Sequence, residues 1–206
     1  MRISAVGLQL IRAEEGFREH AYPDPASPLA RATPSRRWGF EPANEIRAAL
    51  PVSLQMQSGF PWTIGYGFTR HLDGRKVLPG DTMTRAEAEA QLARHVEPFE
   101  AGVREVLQVP VNQPMFDALV SICWNIGIGA FRGSTLVRLL NEGRHLEAAR
   151  EFDRWNRAGG EVLPGLVARR DREQALFATG IRQALADAGN AGALARFERY
   201  VAEGFA

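Results

Sequence analysis

Residues 15–24 read EGFREHAYPD and residues 62–68 read WTIGYGF; the first stretch closes a helical pattern and opens a different one, which the second completes. Upstream of Glu15, Ile3, Val6 and Leu10 share one helical stripe while Leu8 and Ile11 share a second, so the spacing predicts a helix over 3–14 packed on two sides. Gly16 is a natural stop, because a glycine just past the last turn readily takes the left-handed conformation that ends a helix. From Phe17 to Pro79 the helical period gives way to proline, glycine, aromatic and β-branched residues. That change predicts a small irregular β lobe over 16–80 with a hairpin at the second stretch.

Helical chemistry returns at Thr84, where Thr84 and Glu87 form a capping box ahead of Leu92, Val96, Phe99, Val103 and Leu107 at helical intervals. Pro98 lies inside that run and should kink or split the helix, since it lacks an amide hydrogen and crowds the preceding turn. After Pro110, Asn112 is a cap for a helix in which Met115, Leu119, Ile122 and Cys123 face inward, ending near Gly127 and Gly129. Further helices are expected over 134–141, 145–155, 165–178 and 181–203. The fold class is therefore α+β, mainly helical, with a small β-hairpin lobe and a larger helical lobe over 84–180. Residues 181–206 form a C-terminal helical extension, whose Ile181, Leu185, Leu194, Phe197 and Val201 recur at intervals suited to covering part of that lobe.

At 206 residues the chain fits one compact domain, or two small lobes sharing a helix. An apolar fraction of 45% against 24% charged residues is that of a soluble globular protein. The formal net charge of +1 supplies no general polycation, so nucleic acid is not an expected partner. Of the 25 basic residues, 24 are arginine, and Arg36, Arg37, Arg169, Arg170 and Arg172 cluster in sequence. Guanidinium forks suit carboxylates and phosphates, which keeps an acidic polymer among the substrates to consider. The single cysteine, Cys123, lies in an apolar run and reads as a buried core thiol, with no internal disulfide. No apolar run reaches the roughly 18–20 residues that span a bilayer, and the first 15 residues lack the pattern of a secretory signal. The expectation is a chain without a signal peptide and without stable membrane insertion. His20, His71, His95 and His145 are scattered without ligand spacing, so neither a metal nor a cofactor is expected.

A glycosidase needs a carboxylic acid that holds its proton near neutral pH and lends it to the departing sugar oxygen. A glutamate at the C-terminal end of the first helix meets that need, because the negative end of the helix opposes ionisation and the following glycine leaves room for a ligand. Both Glu14 and Glu15 qualify by position, and periodicity does not choose between them. A solvated surface glutamate is the plain alternative for either.

The segment Glu15, Gly16, Phe17, Arg18, then Ala21, Tyr22, Pro23, Asp24, then Trp62, Thr63, Ile64, Gly65, Tyr66, Gly67 resembles the catalytic region of phage T4-type lysozymes and endolysins, glycoside hydrolase family 24. That family carries a glutamate and glycine at a helix end, an aspartate nine positions later, and a threonine opening a TIGYG hairpin. The match selects Glu15 over Glu14. It continues through ALVSICWNIGIGAF at 118–131, GSTLVRLLNEG at 133–143, Phe152, Trp155, GLVARR at 165–170 and Glu173, covering roughly 3–180 in the family's order. The resemblance implies a lysozyme-like fold, residues 1–180 as catalytic domain, and an active-site cleft between the two lobes. It implies Glu15 as the acid, Asp24 as base or stabiliser of positive charge at the anomeric carbon, and Thr63 as a guide for water or substrate. Arg169 corresponds to an arginine that reaches back to pair with the catalytic glutamate, and Tyr22 sits in the matched segment as a supporting residue. The implied substrate is bacterial peptidoglycan, cut between N-acetylmuramic acid and N-acetylglucosamine by a monomer released through a holin-type pore. A lytic transglycosylase on the same bond, a chitin-directed enzyme, and a non-catalytic murein-binding domain of an assembly are the competing readings.

Two departures stand out. Between Asp24 and Thr63 lie 38 residues where shorter members have a handful, an insertion at about 26–60 with Arg36, Arg37, Trp38 and an expected short helix at Asn44–Leu50. Its closure cost is modest, since loop entropy grows only logarithmically with length. Rooted beside the site, it is expected either to extend the substrate cleft with Trp38 stacking on a sugar ring, or to be a surface excursion with Trp38 packed beneath it. The second departure is Phe68, where the family commonly has a structural histidine.

Overall fold

Ser4 sets the start of the first helix, α1 (Ala5–Glu15): its hydroxyl accepts the amide of Val6 at 3.1 Å and its carbonyl accepts that of Leu8 at 3.0 Å. Gly16, with φ +64°, ends the helix by donating its amide to the Arg12 carbonyl at 3.2 Å. The computed structural model describes residues 1–25, 27–33, 38–56 and 58–204, so Arg36 and Arg37 lie outside the described residues. The fold is mainly helical with a small two-stranded sheet, and it divides into two units, Arg12–His95 and Met1–Ile11 with Val96–Ala206.

In the unit Arg12–His95, β1 (Arg18–Pro23) pairs antiparallel with β2 (Trp62–Gly65), Tyr22 opposite Thr63 and Pro23 opposite Trp62. The register shifts between Arg18 and Tyr22. The excursion between the strands is helical rather than β: α2 (Pro28–Ala32), α3 (Ala43–Ala48) and α4 (Val52–Gln55). A short helix was expected at 44–50, where α3 stands; α2 and α4 were not expected, and the prolines explain why. Pro28 occupies the first turn of α2, while Pro42 and Pro51 precede α3 and α4; a ring that fixes φ and lacks an amide hydrogen starts a helix as readily as it punctuates strands. The base of the excursion is fastened by backbone bonds, Asp24 N to Pro61 O at 2.9 Å and Leu29 N to Ser58 O at 3.0 Å.

The capping box closes at both ends: Thr84 N and Oγ1 donate to Glu87 Oε2 at 2.8 and 2.7 Å, and Glu87 N donates back to Thr84 Oγ1 at 3.2 Å. It starts α5 (Arg85–Val106), which continues through Pro98 without splitting, where a kink or a split was expected. Leu92, Val96 and Val103 are fully buried along it, and such packing outweighs one lost helical hydrogen bond.

In the other unit, Asn112 caps α6 (Gln113–Ile126), every residue from Met115 to Cys123 is buried, and Gly127 at φ +86° ends the helix. There follow α7 (Ile128–Arg132), α8 (Thr135–Asn141) and α9 (His145–Arg150). A short 3₁₀ turn over Glu151–Trp155 replaces the second half of the helix expected at 145–155. A small hairpin of β3 (Arg157–Ala158) and β4 (Glu161–Val162) leads to α10 (Pro164–Asp187) and α11 (Ala191–Ala202).

The two helices expected at 165–178 and 181–203 are thus divided near Gly189, not near Gly180. Gly180 is mid-helix because α6 packs against it: a Cβ there would overlap Met115 and Asn112, and its carbonyl accepts Asn112 Nδ2 at 2.7 Å. The boundary expected at 180 therefore falls inside α10, and α11 is joined back to it through Arg182 and Glu198 at 2.6 Å.

Candidate active site

Glu15, Tyr22, Asp24 and Thr63 all belong to the unit Arg12–His95. Gly16 turns the chain out of α1 and into β1, leaving Glu15 half-buried as the last helical residue. The loop that receives it is the TIGYG turn, closed by reciprocal bonds between Ile64 and Phe68, each 2.9 Å. Its two flexible glycines have different tasks. A Cβ on Gly65 (φ +64°) would stand 2.9 Å from the Phe68 ring, so that glycine lets the turn fold tightly over its own core. A Cβ on Gly67 (φ +86°) would stand 3.3 Å from Glu15 Oε2, so that glycine makes room for the carboxylate. Gly67 was not singled out in sequence; its signal was the glycine after Tyr66, already quoted as part of the hairpin.

Tyr22 links the other members. It faces Thr63 across the sheet, and Thr63 is 7% exposed on β2. Burial pushes its phenol up to about 12, and the charges of Glu15 and then Asp24 push the same way against the opposing pull of Arg18. A phenol that feels both carboxylates and lies opposite the threonine ties the three candidate residues to one neighbourhood. Asp24 is half-buried, and its backbone is pinned at the sheet end by the bond to Pro61 O and by Ser27 N, which donates to Asp24 O at 2.8 Å.

The residue that replaces the expected histidine, Phe68, stacks on His95 with ring centroids 3.9 Å apart and planes 12° from parallel. Burial, with His71 nearby, holds the His95 imidazole below its usual range. A ring stack thus stands where the family commonly has a histidine.

Trp38 is among the packed residues. It is 8% exposed, meets Trp62 edge-on at 6.0 Å, and donates its indole N–H to the Thr33 carbonyl at 3.2 Å. Of the two expectations for it, the ring packed beneath the excursion matches this geometry, and no open face is left for a sugar. The aromatic residue that stands out from the same turn is Phe40, 61% exposed.

Arg169 lies in the other unit, 4% exposed, with its Nε 3.1 Å from Glu173 Oε1. Glu173 also accepts Ser121 Oγ at 2.7 Å and stands 2.9 Å from Arg170 Nε. Burial raises the Glu173 carboxyl above its usual range, with Arg170 and Arg169 pulling it down. Arg170 in turn donates to Asn125 Oδ1 at 3.0 Å. Among the described residues no group of three or more histidine, cysteine, aspartate or glutamate side chains is arranged to hold a metal ion, and no helix is long and apolar enough to cross a membrane.

Comparison with known proteins places these features among relatives. A family model described as phage lysozyme matches residues 50–173. Over 180 residues the chain is 40% identical to the endolysin of Bacillus phage PZA, an overlap that takes in 87% of this chain and 56% of that one, so the chain spans little more than half of that relative's length. Against the endolysin of Salmonella phage P22 it is 34% identical over 177 residues, 86% of this chain and 98% of the other. Among solved structures, the muramidase domain of SpmX from Asticaccaulis excentricus is similar with a TM-score of 0.62 and 32% identity, covering 85% of this chain and 97% of that one.

Proposed function

The chain belongs to the phage lysozyme family, and from that premise we propose that it hydrolyses the glycan strands of bacterial peptidoglycan at the β-1,4 bond between N-acetylmuramic acid and N-acetylglucosamine. The observation that carries the reading is Tyr22, which pairs across the sheet with Thr63 and whose phenol responds to the charges of both Glu15 and Asp24. In this reading Glu15 in its acid form gives its proton to the glycosidic oxygen as the bond to the anomeric carbon breaks. Asp24 stabilises the positive charge that builds at that carbon or takes the proton of the attacking water, and Thr63 orients the water. Gly67, having no side chain, leaves room for the Glu15 carboxylate. Arg169, bonded to Glu173, is a supporting residue in this reading.

The relatives named endolysin support bacterial lysis as the role, and a holin-type pore as the route to the wall belongs to the same proposal. The decisive experiment is a turbidity assay on outer-membrane-permeabilised Gram-negative cells, with the native chain beside Glu15→Gln. The amide cannot donate a proton to the leaving oxygen, so lysis is expected to fall by about 10²–10⁴-fold with the fold retained. An equally active Glu15→Gln protein would overturn the assignment. Mass spectrometry of the digested murein is expected to give hydrolysed reducing ends; anhydro ends would mean a transglycosylase.

A further inference from the structure

The excursion builds a recess whose lining the proposed chemistry does not use. Within the unit Arg12–His95, a hollow of about 450 Å³ is lined by Phe17, Glu19, Gly39, Phe40, Thr84 and Arg85. Glu15, Asp24 and Thr63 are not among its walls. The segment carrying Gly39 and Phe40 is tied to β1 by the bond from His20 N to Gly39 O at 3.2 Å.

Two aromatic plates stand in this recess, each steadied by a guanidinium. Arg18 lies 4.4 Å from the centre of the Phe40 ring, and Arg85 lies 4.6 Å from that of Phe17. The stem of Arg18 is held in turn by Gly39, where a Cβ would come 2.6 Å from Arg18 Cδ; with φ +82°, only glycine suits that place. The Arg85 fork is fixed by its bond to the Tyr66 hydroxyl at 3.3 Å. The Thr84 hydroxyl is committed to Glu87, so bonding to a ligand falls to the exposed carboxylate of Glu19 and the free edge of Arg85.

We propose that this recess is an accessory saccharide subsite, in which a pyranose ring stacks on Phe40 while its hydroxyl and acetamido groups bond to Glu19 and Arg85. A sugar ring offers an apolar face of axial C–H bonds and a rim of donors and acceptors, and an open aromatic plate with polar groups at its edge complements both. The lining carries one carboxylate and one guanidinium, so it favours a neutral ligand over a charged peptide. The volume falls within the range of small-ligand pockets. The subsite gives the excursion a task that the buried Trp38 leaves undone. That the saccharide is murein rests on the function proposed above; that a saccharide binds does not.

The test is an NMR titration of the full chain in a Glu15→Gln background, first with chitotetraose and then with peptide-free murein glycan strands. Amide shifts are expected at 17–19, 39–40 and 84–85, with affinity there about threefold to tenfold weaker after Phe40→Ala. In the chain with Glu15 intact, Phe40→Ala is expected to raise KM on peptide-free strands by a similar factor and leave kcat within about twofold. Glu19→Gln is the second variant, and thermal unfolding checks that both fold. Shifts absent from these residues, shifts unchanged by Phe40→Ala, or shifts seen only with peptide-bearing fragments would overturn the subsite. A native chain that binds chitotetraose here but turns over no murein would instead sink the proposed function and leave the subsite standing.

Discussion

Glu15 and Glu173 are both helical glutamates beside arginine-rich sequence, and their surroundings are opposite. Glu173 is sealed in mid-helix, with Ser121, Arg169 and Arg170 converging on its carboxylate and none of its side chain exposed. Glu15 ends its helix half-buried, with a glycine behind it in sequence and another against its carboxylate in space. The first arrangement commits the carboxylate to structure, with Oε1 accepting from Ser121 and Arg169 and Oε2 facing the Arg170 guanidinium. The second leaves Glu15 half-buried beside Gly67, the setting of the acid proposed above. Sequence labels both as acidic residues on helices, and only their packing separates them.

The sharpest way to break this comparison is to make the same isosteric change at both sites. Glu15→Gln is expected to abolish lysis by about 10³-fold while denaturant unfolding moves by no more than about 0.5 kcal/mol. Glu173→Gln leaves two buried guanidiniums short of their counter-charge and is expected to cost about 3–5 kcal/mol in the same unfolding measurement. If the stability loss were instead seen at Glu15, the division of roles drawn here would be wrong.

A finer test separates backbone strain from loss of space. Gly67 and Gly74 share φ +86°, but a Cβ on Gly74 would meet nothing within 4 Å. Alanine at either is expected to cost about 1–2 kcal/mol, because the left-handed conformation disfavours a side chain. Only Gly67→Ala is expected to displace the Glu15 carboxylate, and turnover should fall by about 10²-fold there and hold steady in Gly74→Ala. The smallest effect concerns Tyr22. Its phenol is raised from the usual 10 to about 12, so the folded state holds that proton more tightly than the unfolded chain. The associated stability is fully present below pH 10 and is lost as pH rises through about 12. In an alkaline absorbance titration, Tyr22→Phe should remove the phenol that ionises last near the site, and its unfolding free energy should decline less steeply over that window.

What was legible in the sequence is what depends on near neighbours. Gly16 as a helix stop, the Thr84–Glu87 box and the Asn112 cap each act over a few residues and stand where they were read. Gly180 was misread because its reason lies on another helix: Met115 and Asn112 occupy the space of its absent side chain. Two of the excursion's three helices, α2 and α4, went unread because the same proline ring geometry serves a loop and the first turn of a helix. Trp38 and Phe40 are two residues apart with alike aromatic character, and nothing local decides which is covered and which stands open. Gly67 escaped notice because the carboxylate it accommodates arrives from α1, at the far end of a long insertion.

The fastening at the base of that insertion has an evolutionary consequence. With Asp24 tied to Pro61 and Leu29 to Ser58, the neck of the excursion is fastened at two points, and His20 N on Gly39 O adds a third at β1. Selection can therefore rewrite residues 43–56 as a cassette while these three ties keep the strands in place. A protein engineer has the same opening, since a foreign loop grafted over 43–56 leaves all three ties in place.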